Sequence, residues 1–593
     1  VKYATLLTSN CCIEWRAEKP FAGKVQQSDE PCAHELVAFA APRSAALTVT
    51  VRTPFLFKTC QLDRKNHCEH PDATYCRMLF LCAAGAEGGG LMATKVAIIG
   101  AGVAGLAAGC YAQMNGYESH IFEMHDIPGG LCTAWERKGY TFDGCIHYLF
   151  GSGAGMPFYR MWEELGAVQD RPMINHDQLL QVSGSDGRTF TVYCNPDQLE
   201  AEIVTISPAD AALAKELAEG VRAFTSFDMT MLQEKPRTLM KPHDYARFGQ
   251  HMLPFVIPLI KFGMTQVRTY ADRFHDPFLR EAVARMFGWP EMPMMAGMQL
   301  LAYMNNGNAG FPAGGSLAFV RSIEQRYLAL GGKISYKAQV EQILVENDSV
   351  TGVRLYNDDV HPADIVIAAC DGRATLFHML DGHYIDSQLR RLYTGDLPLQ
   401  SMMQVSFGLA GDLRAQPHWV TYLLDAPSLI AGQERSDISV QHYAFDPSLA
   451  PAGKTAMTVL LKSDYDYWQR IYGRRLYDTE QLQVAEQLLA LIEERQPGIR
   501  GRVEVTDIAT PVSFERYTGN WQGSTCGWLL TPQMMRLMIQ GLPKTLPRLR
   551  NLYMAGQWVE PGGSVTLCAA SGRSAIQMIC AADGRPFEGS EHL

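Results

Sequence analysis

From Lys95 onward the order of apolar runs and polar breaks reads as strand, glycine turn, helix and strand. Val96-Ala97-Ile98-Ile99 is a short unbroken apolar run, as expected of a strand covered on both faces of a parallel sheet. Leu106, Cys110, Tyr111 and Met114 recur at helical spacing between Val103 and Asn115, and Gly116 supplies a C-terminal stop. His120-Ile121-Phe122-Glu123 follows as a second strand, which completes a βαβ opening.

Beyond this opening the pattern changes character. Residues from about 200 to 305 are helical in composition, with Pro208-Ala209-Asp210-Ala211-Ala212 starting one helix and Phe278-Leu279-Arg280-Glu281-Ala282-Val283 lying in another. Apolar positions at Val340, Ile343 and Val345 bring back strand character, with Val350-Thr351-Gly352-Val353 as a hairpin return and Asp364-Ile365-Val366-Ile367-Ala368-Ala369 as a further buried strand. Strands of the first domain thus return after a helical insertion. Residues 1–91 show no sustained period and end in the linker-like Gly85-Ala86-Glu87-Gly88-Gly89-Gly90. They read as a poorly ordered extension, an over-extended frame whose natural start is Met92. Neither a signal peptide nor an acid-poor transit peptide is supported, since Glu14, Glu18, Asp29 and Glu30 fall early.

Composition narrows the class. A chain of 593 residues predicts two or three packed lobes, and 47% apolar with 19% charged residues describes an ordinary globular protein. A net charge of −10 gives no basis for nucleic-acid binding, so that partner is excluded. No uninterrupted apolar run reaches the length of a spanning helix. The nearest stretch, Met252 to Phe262, is broken by Pro254, Pro258 and Lys261 and suits a buried or interfacial segment. Seven of the 15 cysteines precede Met92. None of the Cys/His spacings is matched by a second pair in the manner of a zinc site, so no metal is expected.

Chemistry concentrates at Gly100-Ala101-Gly102-Val103-Ala104-Gly105, a G-x-G-x-x-G string that follows a strand and opens a helix, with Glu123 lying 23 residues past the first glycine. The glycines let backbone approach a pyrophosphate, and the free N–H groups at the helix start stabilise its charge. Glu123 suits the two hydroxyls of an adenosine ribose and repels a 2′-phosphate, so FAD or NAD is implied over NADP. Gly129-Gly130-Leu131 offers a second close backbone approach. Gly151-Ser152-Gly153-Ala154-Gly155 is followed by Met156, and no second fingerprint supports a dedicated NADPH site.

With His125-Asp126-Ile127-Pro128-Gly129-Gly130-Leu131-Cys132 added, the chain resembles the FAD-dependent phytoene desaturase, carotenoid isomerase and retinol saturase group of amine-oxidase-like flavoproteins. The resemblance runs in order through Phe142-Asp143-Gly144-Cys145-Ile146-His147, Phe311-Pro312-Ala313-Gly314-Gly315-Ser316, Thr510-Pro511, Tyr517-Thr518-Gly519, Asn551 to Trp558, Pro561 to Val565 and Ser571-Gly572-Arg573. It implies an α/β fold of the two-dinucleotide-binding type. A discontinuous Rossmann-like FAD-binding domain (92–200, 316–385 and 516–593) would carry an inserted α+β, partly helical substrate domain. Within that insertion, 201–315 would be the helical, membrane-facing part and 386–515 the substrate-domain sheet and helices. By position, Val340 would meet adenine through its backbone and Gly556 with Gln557 would lie beside the ribityl chain. In many relatives the Gln557 position is an aspartate. Gly563, Ser564 and Val565 would underlie the flavin ring, with the N–H groups of the following helix toward its N1/O2 edge.

The implied function is hydride transfer between FAD and an isoprenoid or polyene chain, in desaturation or saturation. Two alternatives stand beside it: a redox-neutral cis-trans isomerase, and a flavin-stabilised lipid-binding protein without turnover. His147 is the candidate catalytic side chain, equally readable as a hydrogen-bonded core residue beside Tyr148. Asp143 reads as holding its turn. Cys132 and Cys145 read as small buried hydrophobes whose spacing matches no disulfide-exchange motif. Met-rich stretches at Met252–Phe262 and Met292–Leu301 suit core packing or a long apolar ligand. A hydrophobic small molecule is the expected partner, and the cytoplasm the expected location, with peripheral membrane contact. The electron partner is left open.

Overall fold

The apolar run at 96–99 forms β1 (Lys95–Ile99), the central strand of a five-stranded parallel sheet in the computed structural model. Its companions are β2 (Glu118–Phe122), β3 (Lys333–Ser335), β4 (Ile365–Ala368) and β5 (Leu552–Met554), in the order β3-β2-β1-β4-β5. Ile98 stands opposite Ile121 of β2 on one side and Ile367 of β4 on the other. Both faces are covered at the centre, so β1 beyond Lys95 and all of β4 are apolar rather than alternating. By contrast, β2 opens with Glu118-Ser119-His120 and the edge strand β3 carries Lys333 and Ser335. The described residues are 93–589 apart from 233, 395, 396 and 475, together with six strands in the separate unit Val1–Met92.

Those six strands, Thr5–Thr8, Cys11–Glu18, Ala22–Gln26, Glu35–Phe39, Leu47–Thr53 and Leu56–Leu62, pair in sequential antiparallel order. This differs from the absence of regular elements read from the pattern. Leu47, Val49 and Val51 alternate with Thr48, Thr50 and Arg52, a period-two signal for a strand. The remainder of the expected extension over 1–91 lies outside the described residues.

Helix α1 (Val103–Met114) leaves β1 through the glycine turn and is buried along nearly its whole length. Its C-cap is Asn115, followed by Gly116 at φ +77°. Two close approaches fix its position. A Cβ on Gly105 would fall 2.0 Å from the Gly100 carbonyl oxygen. One on Gly572, in the C-terminal helix α3 (Val565–Ala582), would fall 2.3 Å from the Ala104 carbonyl oxygen and 2.8 Å from the Ala108 nitrogen. By length and hydropathy α3 would suffice to cross a membrane, yet 67% of that stretch is buried within the unit, which makes it a core helix here.

Helix α2 (Gly315–Ala329) precedes β3, and its N-terminus is closed by carboxylates. Asp143 accepts from the Ser316 N–H at 2.5 Å and the Ser316 hydroxyl at 2.6 Å, while Asp446 accepts from the Gly314 N–H at 2.7 Å. Asp143 therefore does hold its turn, and also staples the 143–146 loop to α2. The predicted hairpin spans Val340–Glu346 and Ser349–Leu355, joined by Asn347 and Asp348 at φ 50° and 58°, a two-residue primed turn.

An eight-stranded sheet forms the second lobe. Strands Leu399–Ala410, Trp419–Ile430, Gln433–His442, Lys454–Lys462 and Val503–Ala509 form most of it, and Ser524–Trp528 pairs with Leu399–Ala410. Gln178–Ser183 and Thr189–Tyr193 complete it, Gln178–Ser183 lying parallel to Trp419–Ile430. Residues 178–193, read from sequence with the dinucleotide part over 92–200, thus belong by pairing to the second sheet. Short alternating strands look alike before their partner is known. Helices between Pro196 and Asn305 pack on this end through Leu180, Val182, Phe190, Phe224 and Met298.

Replacing Gly572 by alanine forces α1 and α3 apart. The expected outcome is a loss of about 1–3 kcal/mol, read as a lower urea midpoint at unchanged slope.

Candidate cofactor site

The C-terminal ends of β1, β2 and β4 open onto a single elongated cavity, as expected where parallel strands end and the chain order reverses. Gly100, Gly102, Val103 and Ala104 line one stretch of it, with Glu123, Gly129, Gly130, Leu131 and Val340 beside them. Ala101 and Gly105 stand behind that wall. The Ala101 N–H donates to Glu123 Oε2 at 2.7 Å, and Gly105 packs on Gly100.

The three glycines of the fingerprint have separate uses. Gly100 sits at φ +99°, where a Cβ would also lie 2.9 Å from the Ala369 carbonyl oxygen. At Gly102 a Cβ would meet nothing closer than the Gly129 carbonyl oxygen, at 3.8 Å, so backbone there is bare toward the cavity. Gly105 permits the close turn-to-helix contact. Gly102 is also the N-cap of α1 and brings no side-chain cap, which leaves the first-turn N–H groups for a ligand. The Gly129 N–H donates to the Ala101 carbonyl at 2.9 Å and ties the second glycine turn to the first.

Glu123 is buried, and its Oε1 accepts the His125 N–H at 2.8 Å. Burial raises its carboxyl above the usual range, and the two backbone donors pull it back. Each oxygen retains accepting capacity beyond these bonds.

Some 430 residues further along the chain, Gly556, Gln557, Gly563, Ser564 and Val565 line the same cavity. The Gly556 N–H donates to Ser571 Oγ at 2.7 Å. Gln557 Nε2 donates to Asn520 Oδ1 at 3.1 Å, and the Trp558 indole N–H shares that acceptor at 3.2 Å. Ser564 caps α3 by accepting the Leu567 N–H at 3.4 Å. Two helix N-termini, those of α1 and α3, therefore face one cavity, whereas that of α2 is already closed by Asp143 and Asp446.

Several wall residues were not singled out from sequence. Asp371 directly follows the buried strand β4 and accepts the Ala374 N–H at 2.7 Å and the Trp521 N–H at 2.9 Å. Its signal was its place just past the C-terminal end of a parallel strand. Asn520 and Cys568 also line the cavity, and no motif marks them; Cys132 and Cys145, read from sequence as small buried hydrophobes, line it as well.

His147 does not reach this wall. Its ring lies 5.2 Å from that of Trp419, and its Nδ1 is buried without a hydrogen-bond partner. It belongs to a histidine-rich zone where His176 and His418 stack at 3.8 Å. Burial pushes His147 and His176 down to about 4 and His418 well below its ordinary value. Such lowered histidines contribute stability that is full above about 6.5 and is lost as pH falls toward 4. Asp371, pushed up to about 6 by burial, acts in the opposite sense, its contribution being lost as pH rises through 6. Urea unfolding between pH 6.5 and 4 is expected to show a shallower loss of stability in His176→Phe than in the unaltered protein. Equal slopes would show that His176 takes up its proton in the folded state.

A family model for an NAD(P)-binding Rossmann-like domain matches residues 98–165. The chain is 22% identical to prolycopene isomerase, chloroplastic, of Daucus carota over 493 residues, which are 80% of this chain and 78% of that one. It is 25% identical to phytoene desaturase (lycopene-forming) of Pseudescherichia vulneris over 522 residues, 82% of this chain and 99% of the other. Among solved structures, an oxidoreductase from Methanosarcina mazei superposes with a TM-score of 0.53 at 18% identity, covering 82% of this chain and all of that one. Sheet order, glycine turns and paired helix N-termini define an α/β protein with a Rossmann-like domain of the dinucleotide-binding type. More particularly, about four-fifths of the chain is similar to a phytoene desaturase and a prolycopene isomerase.

Proposed function

We propose that the protein is an FAD-dependent oxidoreductase that transfers hydride between flavin and a carbon–carbon bond of a long isoprenoid or polyene chain. The observation that carries this reading is the convergence on one cavity of two helix N-termini, α1 and α3, that have no acidic residue in the first turn. A nicotinamide dinucleotide needs the first, and a flavin dinucleotide uses both. Gly100 to Gly105 with Gly129, Gly130 and Leu131 would hold the pyrophosphate, Glu123 the ribose, and Val340 the adenine. Gly556 and Gln557 would lie along the ribityl chain. Gln557, held by Asn520, supplies hydrogen bonds without the charge an aspartate would bring.

FAD, when bound, would supply the hydride chemistry. The protein's share is to orient the substrate, exclude water and stabilise negative charge at the flavin edge with the α3 N–H groups. Purified protein is expected to be yellow and to bind FAD. Glu123→Gln would weaken that binding about tenfold to a hundredfold, measured by equilibrium dialysis. A colourless, correctly folded protein that takes up no FAD would end this reading.

A redox-neutral isomerase is the second reading, favoured by the prolycopene isomerase relative. Anaerobic incubation of a polyene with stoichiometric FAD, oxidised in one arm and reduced in the other, separates the two. A change in flavin redox state matched by a longer or shorter conjugated chain supports the oxidoreductase, and isomerisation with reduced FAD and no net redox change supports the other.

The helical insertion suits contact with a membrane. Leu253, Ile257 and Ile260 are 71%, 77% and 74% exposed on consecutive turns around Leu253–Phe262, an apolar surface beside Lys261. Exchanging all three for glutamate should abolish flotation with anionic liposomes. Unchanged flotation would remove this segment from the membrane reading.

A further inference from the structure

Eight cysteines of the described unit are free, and four of them gather at the α3 end of the cavity. Cys132, Cys145 and Cys568 line its wall, and a Cβ on Gly563 would sit 2.5 Å from Cys526 Sγ. Cys132 and Cys145 are further related by backbone register. The hairpin Ala134–Arg137 and Tyr140–Asp143 pairs Ala134 with Asp143, and beyond it the Gly144 N–H donates to the Thr133 carbonyl at 3.0 Å. Cys132 and Cys145 are the next residues outward on the two chains, each at a bend of the backbone. A disulfide spans Cα atoms about 4.4–6.8 Å apart, the separation found between paired antiparallel chains. Cys145 is among the groups that raise the Cys132 thiol.

We propose that Cys132 and Cys145 are a redox-active dithiol that exchanges two electrons with the FAD of the preceding section, on which this inference rests. In the oxidising direction both S–H bonds are lost and one S–S bond forms. Two electrons and one proton pass to oxidised FAD, giving FADH⁻, and the second proton goes to solvent. The reverse step stores a reduced flavin's electrons in the thiols. Cys145, half-buried at the wall, is the sulfur that meets the flavin, and Cys132 is the fully buried resolving partner. Burial raises the Cys132 thiol well above its ordinary value, which keeps that sulfur protonated in the reduced pair. A disulfide bridging neighbouring strands holds strain and is correspondingly easy to reduce again.

The test uses the full chain loaded with FAD. After air oxidation and removal of oxygen, dithionite titration should require twice as many reducing equivalents per flavin in the unaltered protein as in Cys145→Ser. Cys526→Ser should titrate like the unaltered protein. Alkylation followed by peptide mapping of the oxidised, unaltered protein should find Cys132 joined to Cys145, a readout that needs neither turnover nor a variant that folds. Equal titration of Cys145→Ser and the unaltered protein would overturn the proposal, as would mapping that finds both thiols alkylated or joined elsewhere. FAD uptake with free thiols defeats this inference alone, whereas absence of FAD uptake defeats the functional reading beneath it as well.

Discussion

Backbone touching backbone at three glycines is the constraint on which the site depends. Gly100 turns against β4, Gly105 lies on the Gly100 carbonyl, and Gly572 lies on the first two turns of α1. These contacts admit no side chain, and together they fix where the N-terminus of α1 points. A helix start is useful to an anionic ligand only if its N–H groups remain unclaimed and stay in place. The glycines meet both conditions, because they bring rigidity without supplying a competing cap.

The contrast among helix starts shows how selectively the fold leaves donors open. At α2, two carboxylates claim the N-terminal groups and turn that end into a structural staple between lobes of sequence far apart in the chain. At α1 and α3 no acid intrudes in the first turn. A chain of net charge −10 thus keeps acids away from the two positions where anionic phosphate and electron-rich flavin would lie. The acids that do border the cavity, Glu123 and Asp371, are held by backbone N–H groups that fix their direction.

The second lobe contributes a different environment. Its sheet and helices bury polar side chains among apolar ones, and the histidines there are driven toward the neutral form by loss of water. His147 is two residues from a cavity-lining cysteine yet faces this zone, since the chain bends at Cys145 and again at His147, where an extended strand would have kept both on one side. Sequence proximity to Asp143 and Cys145 therefore carried no information about which space its ring would enter.

Local pattern alone determined the βαβ opening, the Asn347-Asp348 hairpin, the burial of 365–368 and the acid beyond the second strand. Each is set by interactions among residues close in the chain: apolar periodicity, the φ freedom of glycine, and the turn preference of Asn and Asp. Through the resemblance, it also named in advance residues near 340 and 556–565 that come to line the same cavity. Only the tertiary structure decided that residues 178–193 join the second sheet, that His147 turns away from the cavity, and that Asp371 and Asn520 face it. It alone brought Cys132 and Cys145 to one cavity wall. Those outcomes depend on which distant segment a strand or turn meets, and such meetings are chosen by long-range burial and pairing that leave no local signature in the chain.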